Sequence, residues 1–315
     1  MVTMEKEFFN YKLKLNNGYY CYLEPQLQFK LDTLIANAKK DWDFIVIISG
    51  NRETRTGKSV LALNICSYIG ARLKTGYDIN KNLFFRAGKM MKDASKLPKN
   101  SVIHYDEGRE SLAANKFASE IQKNMLDFFD RFAQKNHIWV IVLPDFFSLK
   151  EEVAVAKSEF LVNVRRRNVK VLRDLYKEGK LRPIERLERG YYHFYDRYKK
   201  EELFTHFMKN RKKSYRTTSS NFHGRFTNNY PCSEEEYRRL KREDSEEELR
   251  KEENKKNKDA KFRDRIIFGL HKKGYKYNKI AECLLSRFNE ELAAQTIGKI
   301  VREMKREEIE LGIRY

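Results

Sequence analysis

The chain has 315 residues, and 65 Lys and Arg against 45 Asp and Glu give a net charge of +20. A hydrophobic share of 41% is enough for a packed core, and only 14 Gly and 5 Pro exclude a collagen-like or low-complexity chain. No run of about 18 apolar residues occurs, so we expect no transmembrane helix. Four scattered cysteines favour a reducing, cytoplasmic location. The charge favours a polyanionic partner, with DNA as the first candidate and a merely solubilising surface as the alternative.

The first 40 residues predict a hairpin followed by a helix. Apolar and polar residues alternate on both sides of Asn16-Asn17-Gly18, a sequence typical of a tight turn. Leu27, Leu31, Leu34 and Ile35 then recur at helical spacing. We assign residues 1–40 to an N-terminal hairpin and helix.

Residues 41–216 alternate apolar strands with helical segments. Strands are predicted at 44–48, 102–105, 138–143 and 160–164, and their uninterrupted apolar runs are typical of strands buried on both faces. Helices are predicted at 60–73 and roughly 119–134. This alternation predicts an α/β fold with a doubly wound, mainly parallel sheet.

The remaining chain changes character twice. Residues 217–261 are predicted to form a linker and a charged helix, since 217–231 are rich in Thr, Ser, Asn and Gly and 233–260 hold 11 acidic and 9 basic residues. Residues 262–315 contain three apolar helical faces separated by short breaks, which predicts an all-α, helix-turn-helix-like domain.

The segment from Gly50 to Ser59 has the context of a phosphate-binding P-loop (Walker A) because it follows a buried strand and precedes a helix. Lys58 would reach the β- and γ-phosphates of ATP, and Ser59 would ligate Mg²⁺. Six residues separate Gly50 from Gly57 instead of the usual four, and Arg52 stands at the usual first-glycine position. The alternative is a helix start that binds no nucleotide. The predicted nucleotide-binding residues are Gly50, Thr56, Gly57, Lys58, Ser59 and Val60.

Two carboxylates follow the second buried strand. Asp106 would hold Mg²⁺, directly or through water, and Glu107 would orient the attacking water, as in a Walker B segment. The alternative is an acidic pair that caps the next helix. The predicted metal ligands are Ser59 and Asp106, and the predicted catalytic residues are Glu107, Lys58 and Arg131, the last as an arginine finger toward a neighbouring subunit.

With these two motifs, the chain resembles P-loop ATPases of the additional-strand, catalytic-glutamate class, which includes FtsK/HerA-like DNA translocases. The order of features from Asp106 to Arg167 is also similar to viral and plasmid ATPases related to the zonula occludens toxin family. The resemblance covers roughly residues 40–200. It implies a ring-forming homo-oligomer that acts on DNA with other proteins of the same genetic element, in the host cytoplasm if the chain is viral.

Basic residues are concentrated in two places. Residues 165–216 hold 18 basic and 7 acidic residues, a net of +11, and the third tail helix would present polar and basic side chains to base edges and phosphates. Asp145 is either a polar sensor or a turn residue, and His104 is predicted to be a hydrogen-bonded core residue. The predicted DNA-binding residues are Arg165, Arg166, Arg167, Arg211, Lys212, Lys213, Gln295, Thr296, Lys299 and Arg302.

The sequence therefore predicts an ATP-hydrolysing, DNA-handling protein that packages, exports or transfers the genome of a virus or mobile element. Two alternatives stay open. One is an ATP-dependent DNA-binding switch in transposition or replication initiation. The other is a basic binding protein whose loop binds no nucleotide.

Overall fold

The computed structural model describes residues 12–51, 55–106, 129, 133–174, 181–288 and 291–310. These residues belong to two compact units, Met1–Lys241 and Arg242–Tyr315. Within the described ranges, no helix combines the length and the apolar character needed to cross a bilayer.

The described strands, in chain order, are β1 Lys12–Lys14, β2 Tyr20–Tyr22, β3 Phe44–Gly50, β4 Leu83–Phe84, β5 Val102–Asp106, β6 Ile138–Val142, β7 Ser158–Asp174, β8 Leu181–Tyr195 and β9 Phe222–Arg225. The described α-helices are α1 Pro25–Ala38, α2 Lys58–Leu73, α3 Ile79–Asn82, α4 Ala87–Ala94, α5 Arg197–Asn210, α6 Glu234–Lys272, α7 Tyr277–Phe288 and α8 Ala294–Glu310. Short 3-10 turns lie at Ala133–Lys135 and Phe146–Ser148, and a π-helix lies at Glu152–Lys157.

Seven strands form the central sheet, in the order β4-β5-β6-β3-β7-β8-β9. The pairs from β4 through β7 are parallel, and β8 and β9 are antiparallel additions. The predicted α/β class and mainly parallel sheet are confirmed. In this order β6 separates β3 from β5, so one strand lies between the strand that precedes Ser59 and the strand that ends in Asp106.

Both faces of the sheet are buried at β3, β5 and β6, which explains the uninterrupted apolar runs of these strands. On one face, Val46 and Ile48 of β3 pack with the apolar stripes of α1 and α2 and with the β1–β2 hairpin. On the other face, Ile45 and Ile47 pack with residues of α4 and α5. The predicted hairpin and first helix are present at the expected places.

Part of the segment interpreted as a linker belongs to the sheet. Residues Phe222–Arg225 form β9, which pairs with β8 in the register Phe194↔Phe222. The rings of these two residues stack with their centroids 4.5 Å apart. A four-residue edge strand among Thr, Ser and Asn residues has too few apolar positions to give a recognisable pattern.

In the second unit, the end of α6 packs with α7 and α8 around a small apolar core. The first of the three predicted tail helices is not separate, because α6 runs without a break from Glu234 to Lys272. Gly274, with φ of 85°, follows its end. The buried residues of this core are Ile267, Phe268, Ile280, Leu284, Ile297, Ile300 and Val301.

Candidate functional site

The loop between β3 and α2 ends on a glycine that no other residue can easily replace. Gly57 is the N-cap of α2 and has φ of 96°, in the left-handed region. A Cβ atom at this position would lie 2.9 Å from Cε2 of Phe226, which follows β9. Arg55 also has a positive φ, 57°. Two residues in the left-handed region, Arg55 and Gly57, therefore lie close to the start of the helix, and Arg52 lies outside the described residues.

Lys58 folds back over the end of β3. Its Nζ atom donates a hydrogen bond to Thr56 Oγ1 at 3.5 Å. A Cβ atom on Gly50 would lie 3.2 Å from the same Nζ, so a small residue at the end of β3 leaves room for the lysine. Thr56 and Val60 are buried. Of the predicted nucleotide-binding residues, Gly50 and Thr56 thus lie next to the Lys58 ammonium group at the carboxyl end of β3.

Asp106 lies next to this loop. It is the last residue of β5, its side chain is buried, and the Ser59 hydroxyl is near enough to stabilise its carboxylate. The Tyr237 hydroxyl donates to Asp106 Oδ2 at 2.7 Å, and Lys241 Nζ lies 3.4 Å from the same oxygen. The two predicted metal ligands, Ser59 and Asp106, therefore lie close together.

The surroundings of Asp106 keep its carboxylate charged. Burial alone would raise the pKa of this group, but the Lys241 ammonium and the Tyr237 and Ser59 hydroxyls stabilise the anion and hold the pKa below its usual value. The carboxylate and the Ser59 hydroxyl together offer hard oxygen ligands of the kind Mg²⁺ prefers. Their chemistry fits a magnesium ion, with Asp106 as the one carboxylate that the described part of the chain contributes.

His104 lies two residues before Asp106 and points into the core. Its Nδ1 atom shares a hydrogen bond of 2.7 Å with the Tyr77 hydroxyl. Burial, with a smaller effect of Lys241, lowers its pKa to about 4, so the ring is neutral at neutral pH. The prediction that His104 is a hydrogen-bonded core residue is confirmed.

Tyr237 and Lys241 were not predicted as site residues. Both lie in the first turns of α6, about 130 positions after Asp106, within the stretch that the sequence marks as an exposed charged helix. Tyr237 is the only aromatic residue between positions 233 and 260. A single aromatic residue on a charged helix was the sequence signal that could have marked Tyr237 as a buried contact. In the structure its buried ring also contacts Phe85 and Tyr230.

The basic residues of β7 lie at the carboxyl end of the sheet. Arg165 is half-buried and its Nη1 atom lies 3.4 Å from His193 Nε2, whereas Arg166 and Arg167 are exposed. Of the second predicted cluster, Arg211 and Lys212 are exposed.

Asp145 lies at the same edge and contacts the second basic cluster. Its Oδ1 atom caps the following 3-10 turn by accepting from the Phe147 amide at 3.1 Å, as the turn interpretation expects. Its Oδ2 atom forms an ion pair with Lys213 at 3.0 Å. Lys213, which is also exposed, is thus held at the sheet edge by Asp145.

In the second unit, the polar residues predicted to contact DNA share the exposed side of α8. Gln295, Thr296, Lys299 and Arg302 are all exposed, opposite the apolar side that packs on α7. Gln295 and Arg302 also border a groove of about 640 Å³ together with residues 276–278. Arg302 is oriented by a 3.2 Å hydrogen bond from its Nε atom to the Gly298 carbonyl.

Two predicted catalytic residues, Glu107 and Arg131, lie outside the described residues. A scan of the chain against protein-family models found no match, and a search against curated protein sequences found none either. The functional interpretation of this chain therefore depends on its motifs and on the contacts around Lys58, Ser59 and Asp106.

Proposed function

We propose that this chain is an ATP-hydrolysing, DNA-handling protein that acts in packaging, export or transfer of a viral or mobile-element genome. The observation that carries the proposal is that the buried Asp106 carboxylate lies within reach of the Ser59 hydroxyl, and Ser59 follows Lys58 at the start of α2. These three groups come from two different strand–helix connections. Their convergence is what an NTP site with a Walker A and a Walker B segment requires.

The sheet order supports the same proposal. Strand β6 lies between β3 and β5, which is the arrangement that the resemblance to additional-strand ATPases implies. Helix α2 begins at Lys58 with its N-terminus at the loop, so its amide groups and its dipole favour a bound anion. The loop, the helix end and Lys58 together suit a polyphosphate.

In this proposal each group has a separate task. Lys58 binds the β- and γ-phosphates, Ser59 and Asp106 hold Mg²⁺, and Glu107 orients the attacking water and accepts its proton. Mg²⁺, when bound, neutralises charge that develops on the phosphate oxygens. Tyr237 acts on Asp106 and is a positioning residue, since its hydroxyl fixes one carboxylate oxygen.

The DNA partner is proposed on charge. The segment 165–216 carries a net charge of +11, and its exposed members Arg166, Arg167, Arg211 and Lys212 flank the carboxyl end of the sheet, where the proposed ATP site also lies. We propose a homo-oligomeric ring with Arg131 reaching a neighbouring site. The exposed polar side of α8 is a second candidate DNA contact.

The test is the rate of phosphate release with and without single- and double-stranded DNA. A DNA-handling motor is expected to hydrolyse ATP faster with DNA, and Glu107→Gln should abolish turnover while leaving ATP binding intact. The switch in transposition or replication initiation would be favoured by a different result. In that case ATP hydrolysis is slow and unchanged by DNA, and the protein binds DNA most tightly in the presence of a non-hydrolysable ATP analogue. No ATP binding at all would refute both.

A further inference from the structure

A polar cleft lies at the carboxyl edge of β3, β6 and β7, on the sheet face opposite α2. It has a volume of about 350 Å³. Its lining combines three basic side chains with one carboxylate and few apolar groups. The lining residues are Asn51, Asp145, Phe147, Arg165, Lys213, Ser214, Tyr215 and Arg216.

The charges in the cleft favour an anion. Arg165, Lys213 and Arg216 contribute three positive charges, and the buried Asp145 contributes one negative charge that is already paired with Lys213 at 3.0 Å. The cleft therefore has a net charge of about +2, with Arg216 exposed at its rim. Guanidinium groups of this kind suit phosphate oxygens, which they can contact with two parallel hydrogen bonds.

Arg165 is held in place by a hydrogen bond to His193. His193 accepts from Arg165 through Nε2, because a guanidinium group can only donate, so its Nδ1 atom carries the proton and points to Ser220 Oγ at 3.1 Å. Burial, together with Arg165 itself, lowers the pKa of His193 to about 4, which is consistent with a neutral ring. A neutral acceptor orients Arg165 without neutralising its charge.

Polar side chains also lie beside the cleft, on the same face of the sheet as Arg165. Ser49, Asn163 and His193 lie opposite one another on β3, β7 and β8, so their side chains share one face. Asn163 is fully buried, and neither atom of its amide has a hydrogen-bond partner among the described residues. Such a group two positions before Arg165 is unusual in a core and is typical of a binding site.

Tyr215 connects the cleft with the strand that carries the loop. Its buried hydroxyl lies 3.0 Å from Ser49 Oγ, 3.3 Å from the Gly50 carbonyl and 3.3 Å from the Phe146 amide. The segment that contains Lys213 and Arg216 is therefore fixed to the last residues of β3. The cleft is a built feature of the sheet edge and not a chance gap between mobile side chains.

We propose that this cleft binds a phosphodiester group of the nucleic acid partner, and that Arg165 and Arg216 are its principal contacts. A nucleic acid is favoured over a single nucleotide because exposed basic residues continue from the cleft in two directions, Arg166 and Arg167 along β7 and Arg211 and Lys212 along the chain before it. This inference rests on the proposed DNA partner but does not depend on ATP hydrolysis.

The experiment measures binding of a fluorescein-labelled 30-nucleotide strand and of its duplex by anisotropy, without nucleotide. Arg165→Gln with Arg216→Gln is compared with Lys39→Gln and Lys40→Gln, which removes the same charge from exposed positions after α1. The cleft variant is expected to lose about tenfold in affinity, and the slope of log affinity against log salt should fall by about 1 to 2, as for two lost phosphate contacts. The control variant should change by less than about twofold if the loss is local.

Arg216→Glu, matched with Lys40→Glu, repeats the test at exposed positions where folding is not at risk. Equal losses in the cleft and control variants, or no loss in either, would overturn the proposal. A cleft variant that loses affinity for a fluorescent ATP analogue but not for the oligonucleotides would also overturn it, because the cleft would then serve the nucleotide. An inactive ATPase that still shows the selective loss of oligonucleotide binding would refute the proposed hydrolysis and support the cleft.

Discussion

The Tyr237 hydroxyl lies 2.7 Å from Oδ2 of Asp106, although 131 positions separate the two residues. The contact attaches the start of α6 to the carboxylate that we propose as the magnesium ligand. Both side chains are buried, so the hydrogen bond is made where water does not compete.

Tyr237→Phe removes the hydroxyl and keeps the ring. The loss of a buried hydrogen bond to a charged group is expected to lower the free energy of unfolding by about 1.5–3 kcal/mol. Because an unfixed carboxylate holds its metal less well, ATP turnover should fall about 10-fold. Denaturant titration and phosphate release measure the two effects. Tyr230→Phe, which removes a hydroxyl from the neighbouring ring, is the control, and equal effects from both variants would contradict a positioning role.

Lys241→Gln removes a positive charge 3.4 Å from Asp106 Oδ2. A resident ammonium group disfavours a second cation on the same carboxylate, so the Mg²⁺ concentration for half-maximal ATP turnover should fall by a factor of about 3, given that the lysine is partly screened by water. The measurement is a magnesium titration at fixed ATP, with exposed Arg242→Gln as the control. A rise in the half-maximal concentration would show that Lys241 assists the site instead of competing with Mg²⁺.

Gly57→Ala tests the conformation of the loop. The left-handed φ of 96° and the 2.9 Å approach to the Phe226 ring both oppose a Cβ atom, so we expect a loss of about 2 kcal/mol in the free energy of unfolding together with weaker ATP binding. Thermal unfolding and nucleotide titration measure these changes. Gly88→Ala, in open space within α4, should be neutral or stabilising. Normal ATP binding by Gly57→Ala would exclude this loop as the phosphate site.

His137 gives the protein a pH-dependent stability. Burial, with a smaller effect of Lys135, lowers its pKa to about 4. As pH falls below about 6.5, His137 becomes protonated in the unfolded chain but stays neutral in the folded chain. The free energy of unfolding of the wild type should therefore fall by up to about 3 kcal/mol relative to that of His137→Gln between pH 6.5 and 4. Denaturant titrations across that range measure the difference, and His206→Gln, at a half-buried position, controls for loss of an imidazole. Parallel curves for the wild type and His137→Gln would contradict the lowered pKa.

The parallel strands could be predicted because burial on both faces leaves a continuous apolar run, as at β3 and β6. The loop and Asp106 could be predicted because short motifs follow these strands directly. Tyr237, Lys241 and Tyr215 could not, since each reaches the site through tertiary contacts across more than 100 positions. Local sequence patterns carry no information on such pairings. Strand β9 could not be predicted for the same reason, because its pairing with β8, and not its own composition, makes it a strand.

The most direct test of the proposed ATP site is an equilibrium titration with Mg·ATP in a buffer without EDTA. The titration compares the wild type with Lys58→Ala and Lys74→Ala. Lys74 is an exposed lysine at the other end of α2 and controls for loss of charge. The wild type and Lys74→Ala are expected to bind with similar affinity, and Lys58→Ala should bind at least about 10-fold more weakly, because it loses a charge-assisted contact to the phosphates. Equal binding by all three proteins, or no binding by the wild type, would contradict the proposed function.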